Sequence, residues 1–223
     1  MSAEIRNWSL TTMSGIFVIF SYCSFTLISL VLYPAAYSPL THYLSRLGNF
    51  DYNPFGAYFY NLGCILTGLA LIPFFLSLRK WYTKRNFQVY ILMIGQIIGL
   101  LSAIALIMIG VFSEDKGVPH LAASSLFFIL NFIVLILVNL SLIWHPQFFK
   151  PIAFYGIAID FISLGLESAI SGPIVEWFTV FSSVFFVALI SVNSLISNRS
   201  HYNRHYYNHY QNNHTKKSTD LVL

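Results

Sequence analysis

Charge is what this sequence has least of. Asp, Glu, Lys and Arg make up 9% of its 223 residues, where soluble domains carry about 25%. So few charges cannot cover a water-facing surface, which excludes an ordinary soluble globule. Cysteine is scarce as well: Cys23 and Cys64 both sit in long apolar runs. That excludes a disulfide framework and reads as two small buried hydrophobes. The apolar body also lacks His-Glu-x-x-His and any His pair at ligand spacing, so no metal and no cofactor is expected there.

What is there is apolar sequence. Hydrophobic residues make up 57% of the chain and the mean hydropathy is +0.68. A membrane-spanning helix needs about 20 such residues. Six runs qualify, near 11–34, 55–78, 87–111, 120–144, 152–171 and 174–197. The separators break helices: Pro34 and the following polar stretch, "RKWYTKR", "SEDKGVP", "HPQFFKP" and "SGP". Pro73 lies inside the second run, where neighbouring helices tolerate a kink. The reading is all-α: an integral membrane six-transmembrane-helix bundle. Residues 1–10 form a short N-terminus, 11–197 the membrane domain, and 198–223 a disordered low-complexity tail.

Sidedness follows from Lys and Arg. With the N-terminus cytoplasmic, Arg6, Arg79, Lys80, Lys84, Arg85, Lys150, Arg199, Arg204, Lys216 and Lys217 all fall inside. Only Arg46 and Lys116 fall outside. Short cytoplasmic loops carry the excess of basic residues, so both termini are expected to be cytoplasmic. The same topology explains the net charge of +4 without nucleic acid. In the tail, His201, His205 and His209 recur every four residues. A polar Tyr/Asn/His-rich tail that cannot bury a core is favoured there over a metal site.

The polar residues in the apolar body are the functional candidates. The run "IAIDFISLGLESAISGPIVEWF" carries Asp160, Glu167 and Glu176 with no Lys or Arg among them. Ionisable groups inside a span are costly and usually functional. A ruler of 1.5 Å per residue puts Asp160 near mid-membrane, Glu167 in the outer third and Glu176 at the outer rim. Asp160, Ser163 and Glu167 share one helix face. Gln96 and Asn131 fall near the level of Asp160, and Asn61 near that of Glu167. The first outer loop adds His42, Ser45, Arg46 and Asp51, and the second Glu114, Asp115, Lys116 and His120. Glu114, His120 and Glu176 are expected at the mouth of one outer cavity, Asp160 and Glu167 in its depth, and Ser45 and His42 closing it.

The outer loops also carry a resemblance. "YSPLTHYLSRLGNFDYNPFGAYFYNLGCILTGL" and "GVFSEDKGVPHLAASSLFF" resemble, in order, two loop motifs of the family called domain of unknown function 998. The matching positions are Tyr37 to Pro39, Leu44 to Gly48, Asn53 with Pro54, and Tyr60 to Gly63. In the second motif they are Gly110, Phe112, Glu114 and His120. Glu176 and Trp177 resemble the start of that family's last helix. The resemblance covers residues 15 to 197. Arg46 stands where that motif often has Asp, which reverses a charge. The family has no agreed activity, and its six-helix layout looks distantly DRAM-like. By that analogy the resemblance implies a lipid-related role.

These readings point to a multi-pass membrane protein, whose ligand is a lipid headgroup or small polar molecule, serving as a sensor or accessory protein. Membrane lipids are the expected partners, and self-association into a homo-oligomer is compatible with this composition. The competing readings are a membrane-embedded metal-dependent hydrolase acting on lipid, a small transporter, and acids that serve packing alone.

Overall fold

The computed structural model describes residues 8–219, and the side chains of residues 8–200. Six helices carry the chain back and forth: α1 Leu10–Val31, α2 Gly56–Ser77, α3 Asn86–Val111, α4 Val118–Ile143, α5 Lys150–Ala169 and α6 Pro173–Thr219. All six contain a stretch long and apolar enough to cross a membrane. There is no strand among the described residues.

The helix limits have local causes. Ser9 starts α1 by accepting from the Thr12 amide at 3.1 Å, as an N-cap serine does. α1 stops at Val31, short of the expected 34, because Tyr33 precedes Pro34 and a residue before proline disfavours helix. α4, α5 and α6 each have a proline in the first turn, where its missing N–H costs nothing. α2 tightens into a 3₁₀ turn, Leu78–Trp81. α6 runs on to Thr219, where the sequence suggested a disordered tail from 198. That stretch contains no glycine or proline to break the helix. The tail histidines' side chains lie outside the described residues, as do residues 1–7.

Each helix packs on the next in chain order, and α6 closes the ring against α1. The seams are stitched by short polar side chains. Ser21 meets Thr67 at 3.0 Å between α1 and α2, and Gln88 donates to Ser141 at 2.8 Å between α3 and α4. Gln96 donates to the Phe75 carbonyl at 2.7 Å. The change from α to 3₁₀ geometry at the end of α2 leaves carbonyls there needing donors. Outward-facing residues are large and apolar, among them Phe20, Phe87, Ile97 and Phe161.

The 82–85 and 144–149 turns lie on one face, here called proximal. The 32–55 and 112–117 loops lie on the other, distal face. On the proximal face His145 packs edge-on against Trp81 with ring centroids 5.0 Å apart, and its Nδ1 accepts from the Gln147 amide at 3.2 Å. Burial, helped by Lys150 and Lys80, holds its pKa below the usual 6.5. The folded state therefore binds fewer protons here than the unfolded chain. That contribution to stability is present above pH 6.5 and is lost as pH falls from there through the lower folded value. Thermal melts of purified protein from pH 7.5 to pH 5 are expected to show the midpoint falling. A His145→Phe variant is expected to flatten that fall; an unchanged pH profile would refute the assignment.

Candidate functional site

The ring of helices encloses a cavity of about 90 Å³. Its walls come from α1, α2, α3, α4 and α6, and α5 contributes none. Its distal end is polar: Ser45, Tyr22, Tyr60, His120, Ser124 and Glu176. Further down, Thr67, Ser102, Asn131, Thr179 and Ser183 alternate with Val18, Leu71, Phe74, Leu106, Val134 and Val187. The proximal end, at Leu78, Val138 and Ile190, is wholly apolar. Along α6 the wall runs from Glu176 to Ile190, which is about 21 Å at 1.5 Å per residue. The cavity is a narrow slot with its polar groups gathered toward one end.

A short 3₁₀ turn, Leu44–Gly48, sits across the distal end. Leu44 and Leu47 are fully buried, and Ser45 lines the cavity beneath. Four side chains outside the turn fasten this lid: Glu176, Trp177, Asn61 and Glu114. Glu176 accepts from the Leu44 amide at 2.6 Å and also from that of Ser45. The Trp177 indole donates to the His42 carbonyl at 3.2 Å. Asn61 donates to the Gly48 carbonyl at 3.0 Å. Arg46 pairs with Glu114 at 3.2 Å, and Glu114 also accepts from Asn49. Aromatic rings surround the mouth: Tyr37 stacks on His42 at 5.0 Å, and Trp177 stacks on Phe181 at 5.4 Å. Burial raises the Tyr37 pKa, reinforced by Glu176, so its hydroxyl stays a donor and gives its proton to the Tyr43 carbonyl at 2.7 Å.

The second distal loop leans on the first. Asp115 holds Lys116 at 2.6 Å. Burial pushes the Asp115 pKa up, but hydrogen bonds from Lys116, Ser113 and the Phe50 amide outweigh it and bring it to about 2.

The structure sorts the sequence candidates into three groups. Ser45, His120 and Glu176 line the cavity. His42, Asn61 and Glu114 do not; they fasten the lid, His42 through its backbone carbonyl rather than its ring. Asp51, Asp160 and Glu167 lie elsewhere. The Asp51 side chain is exposed beyond the lid. Asp160 is buried but does not line the cavity, and its Oδ2 finds no partner. Glu167 is exposed in the last turn of α5, bonded to Ser171 at 3.2 Å. Neither acid lines the cavity, because α4 and α6 supply its wall and α5 supplies none. Those two helices meet where Asn131 donates to Ser183 at 3.3 Å. The amides expected beside the acids serve other groups: Gln96 and Asn61 donate to carbonyls, and Asn131 to a hydroxyl.

Sequence reasoning missed Tyr22 and Tyr60, which share a hydrogen bond at the polar end, and Asn53, which is fully buried under the lid. The available signals were a tyrosine pair inside apolar runs and an Asn-Pro step three residues ahead of a helix. Among the described residues no three His, Cys, Asp or Glu side chains converge as metal ligands would.

Comparison with known proteins gives one match. The model of the family described as "Protein of unknown function (DUF998)" covers residues 16–193. No curated protein and no solved structure matches the chain. The matched stretch contains the lid, both distal loops and nearly all of the six spans. This chain is a member of the DUF998 family, with six helices suited to a multi-pass membrane protein.

Proposed function

We propose that this protein binds a small amphiphile in the slot between its helices, polar group at the lid and apolar part toward the proximal end. It would act as a sensor or accessory protein for a lipid-derived molecule. The observation behind this reading is the polarity gradient of one cavity between the helices. Acceptors and hydroxyls collect at the Glu176–His120 end, and only Leu, Val, Ile and Phe remain at the other. Ligand sites are mostly apolar, with a few placed polar groups that fix orientation. The size restricts the ligand. A dry cavity of about 150 Å³ holds one benzene, so a slot of about 90 Å³ admits no ring and no second chain; a single unbranched alkyl chain with a compact head enters it by spreading the flexible side chains that line it. The distal face is taken as extracytoplasmic. In support, Arg79, Lys80, Lys84, Arg85, Lys150 and Arg199 all sit at the proximal ends of helices or in proximal turns.

Filling the slot tests the reading. Val184→Trp occupies the mid-cavity from α6, and Ser102→Leu does so from α3. Native mass spectrometry of delipidated full-length protein with hexan-1-ol is expected to give a one-to-one adduct. That adduct should fall about tenfold or more in either variant, the loss of one well-packed site. A filled variant that melts like wild type and binds hexan-1-ol as well would sink the proposal.

A further inference from the structure

We infer that the slot selects a primary amine at its polar end and rejects carboxylate and phosphate heads. The inference rests on the reading that the slot takes an amphiphile, and it names the chemical class of the head. No Lys or Arg lines the cavity anywhere along its length. The distal cations are already engaged. Arg46 pairs with Glu114 and stacks over the Tyr52 ring at 4.2 Å, and Lys116 pairs with Asp115.

The groups that reach the polar end all have acceptor capacity. Glu176 takes backbone amides from Leu44 and Ser45. A carboxylate offers about four lone-pair sites, so it keeps capacity for further donors. The His120 Nδ1 donates to the Phe112 carbonyl at 2.7 Å, and in that tautomer Nε2 is the ring's acceptor nitrogen. The hydroxyls of Ser45, Tyr60 and Ser124 can accept as well as donate.

An ammonium head brings three donors and the one charge that Glu176 complements. An alcohol brings a single donor. A carboxylate or phosphate brings only acceptors, and places a like charge beside Glu176 with no cation to offset it. Burying a charge without a partner is costly, so the expected order is amine above alcohol above carboxylate. The amides of Leu44 and Ser45 would be the natural anion donors, but both already bond Glu176.

The test is a competition on purified, delipidated full-length protein with equimolar hexylamine, hexan-1-ol and hexanoate, read by native mass spectrometry. The amine adduct is expected to exceed the hexanoate adduct by about tenfold or more, the worth of one charge-assisted hydrogen bond. Glu176→Gln keeps an acceptor for the Leu44 amide while removing the charge, and is expected to bring amine down to parity with alcohol. Ser124→Lys adds a cation to the polar end and is expected to turn the order toward hexanoate. Three equal adducts on wild type, or hexanoate leading, would overturn the amine selection and leave amphiphile binding standing. No adduct from any of the three would overturn both. Because the wild-type order is decisive alone, a variant that fails to fold does not protect the inference.

Discussion

An Asn53→Ala variant is expected to melt well below wild type, with a loss of about 3 kcal/mol or more. Asn53 is fully buried and uses its amide completely. Its Nδ2 donates to the Ser29 carbonyl at 3.2 Å, the Ser29 hydroxyl at 3.0 Å and the Leu47 carbonyl at 3.0 Å. Its Oδ1 accepts from the Gly56 amide at 3.1 Å. Ser29 lies in the last turn of α1 and Gly56 begins α2, so both offer backbone groups that a helix end leaves without partners. One side chain thus caps two helices and holds the lid between them. Alanine leaves the Ser29 carbonyl and the Gly56 amide buried and unpaired, at about 1–3 kcal/mol each, while the Leu47 carbonyl keeps the Ser29 hydroxyl at 3.1 Å. Asn53→Asp keeps the acceptor for Gly56 but loses the donors, so it should not rescue. Asp51→Ala, two residues away and exposed, is the matched control. The measurement is the thermal midpoint in detergent. A midpoint for Asn53→Ala within about a degree of the control, under 1 kcal/mol on the scale of domain unfolding, would show that the lid does not depend on Asn53.

The six spans were legible because length and hydropathy are all that a membrane demands of a helix. Which way each residue faces was harder to read. A soluble helix shows its core face as an apolar stripe. In lipid both faces are apolar, and here the inner face is the more polar one. The buried residues of α1 include Thr11, Thr12, Ser14, Ser21, Thr26 and Ser29, while Phe17, Phe20, Leu27 and Val31 face outward. Small polar residues let helices approach and hydrogen-bond across a seam. Reading that Ser/Thr periodicity, rather than the acids, would have found the inner face.

The acids misled for a related reason. Depth and a shared helix face assign Asp160 and Glu167 to the cavity, but neither says toward which neighbour that face turns. α5 packs on α4 and α6 but contributes nothing to the cavity wall, so its acids do not line the slot. Glu176 was placed well because it begins a helix. The first turn of a distal helix end can only sit at the rim, where the lid's amides lie. Ser45 and His120 line the cavity for a similar reason: each lies in or beside a short loop, and the loop is the lid or its neighbour.

The second large effect belongs to Gly110, and its comparison with Gly165 separates packing from propensity. A Cβ on Gly110 would stand 2.4 Å from the Asn61 carbonyl oxygen and 3.1 Å from the Ile65 amide nitrogen. Both are backbone atoms of α2, so no rotamer change relieves them, and α2 and α3 must move apart. Overpacking of this kind costs about 1–3 kcal/mol. It falls on the residue whose side chain fastens Gly48 at the base of the lid. Gly165 on α5 has open space where a Cβ would go, and alanine in a helix interior is favoured over glycine by about 0.5–1 kcal/mol. Gly165→Ala is therefore expected to hold or raise the thermal midpoint. Gly110→Ala should lower it and weaken the hexan-1-ol adduct together, because the same displacement loosens the lid. If both substitutions shift the midpoint alike, helix propensity rather than the α2–α3 contact governs these positions. The close approach of α2 and α3 would then not be what holds the distal end of the slot closed.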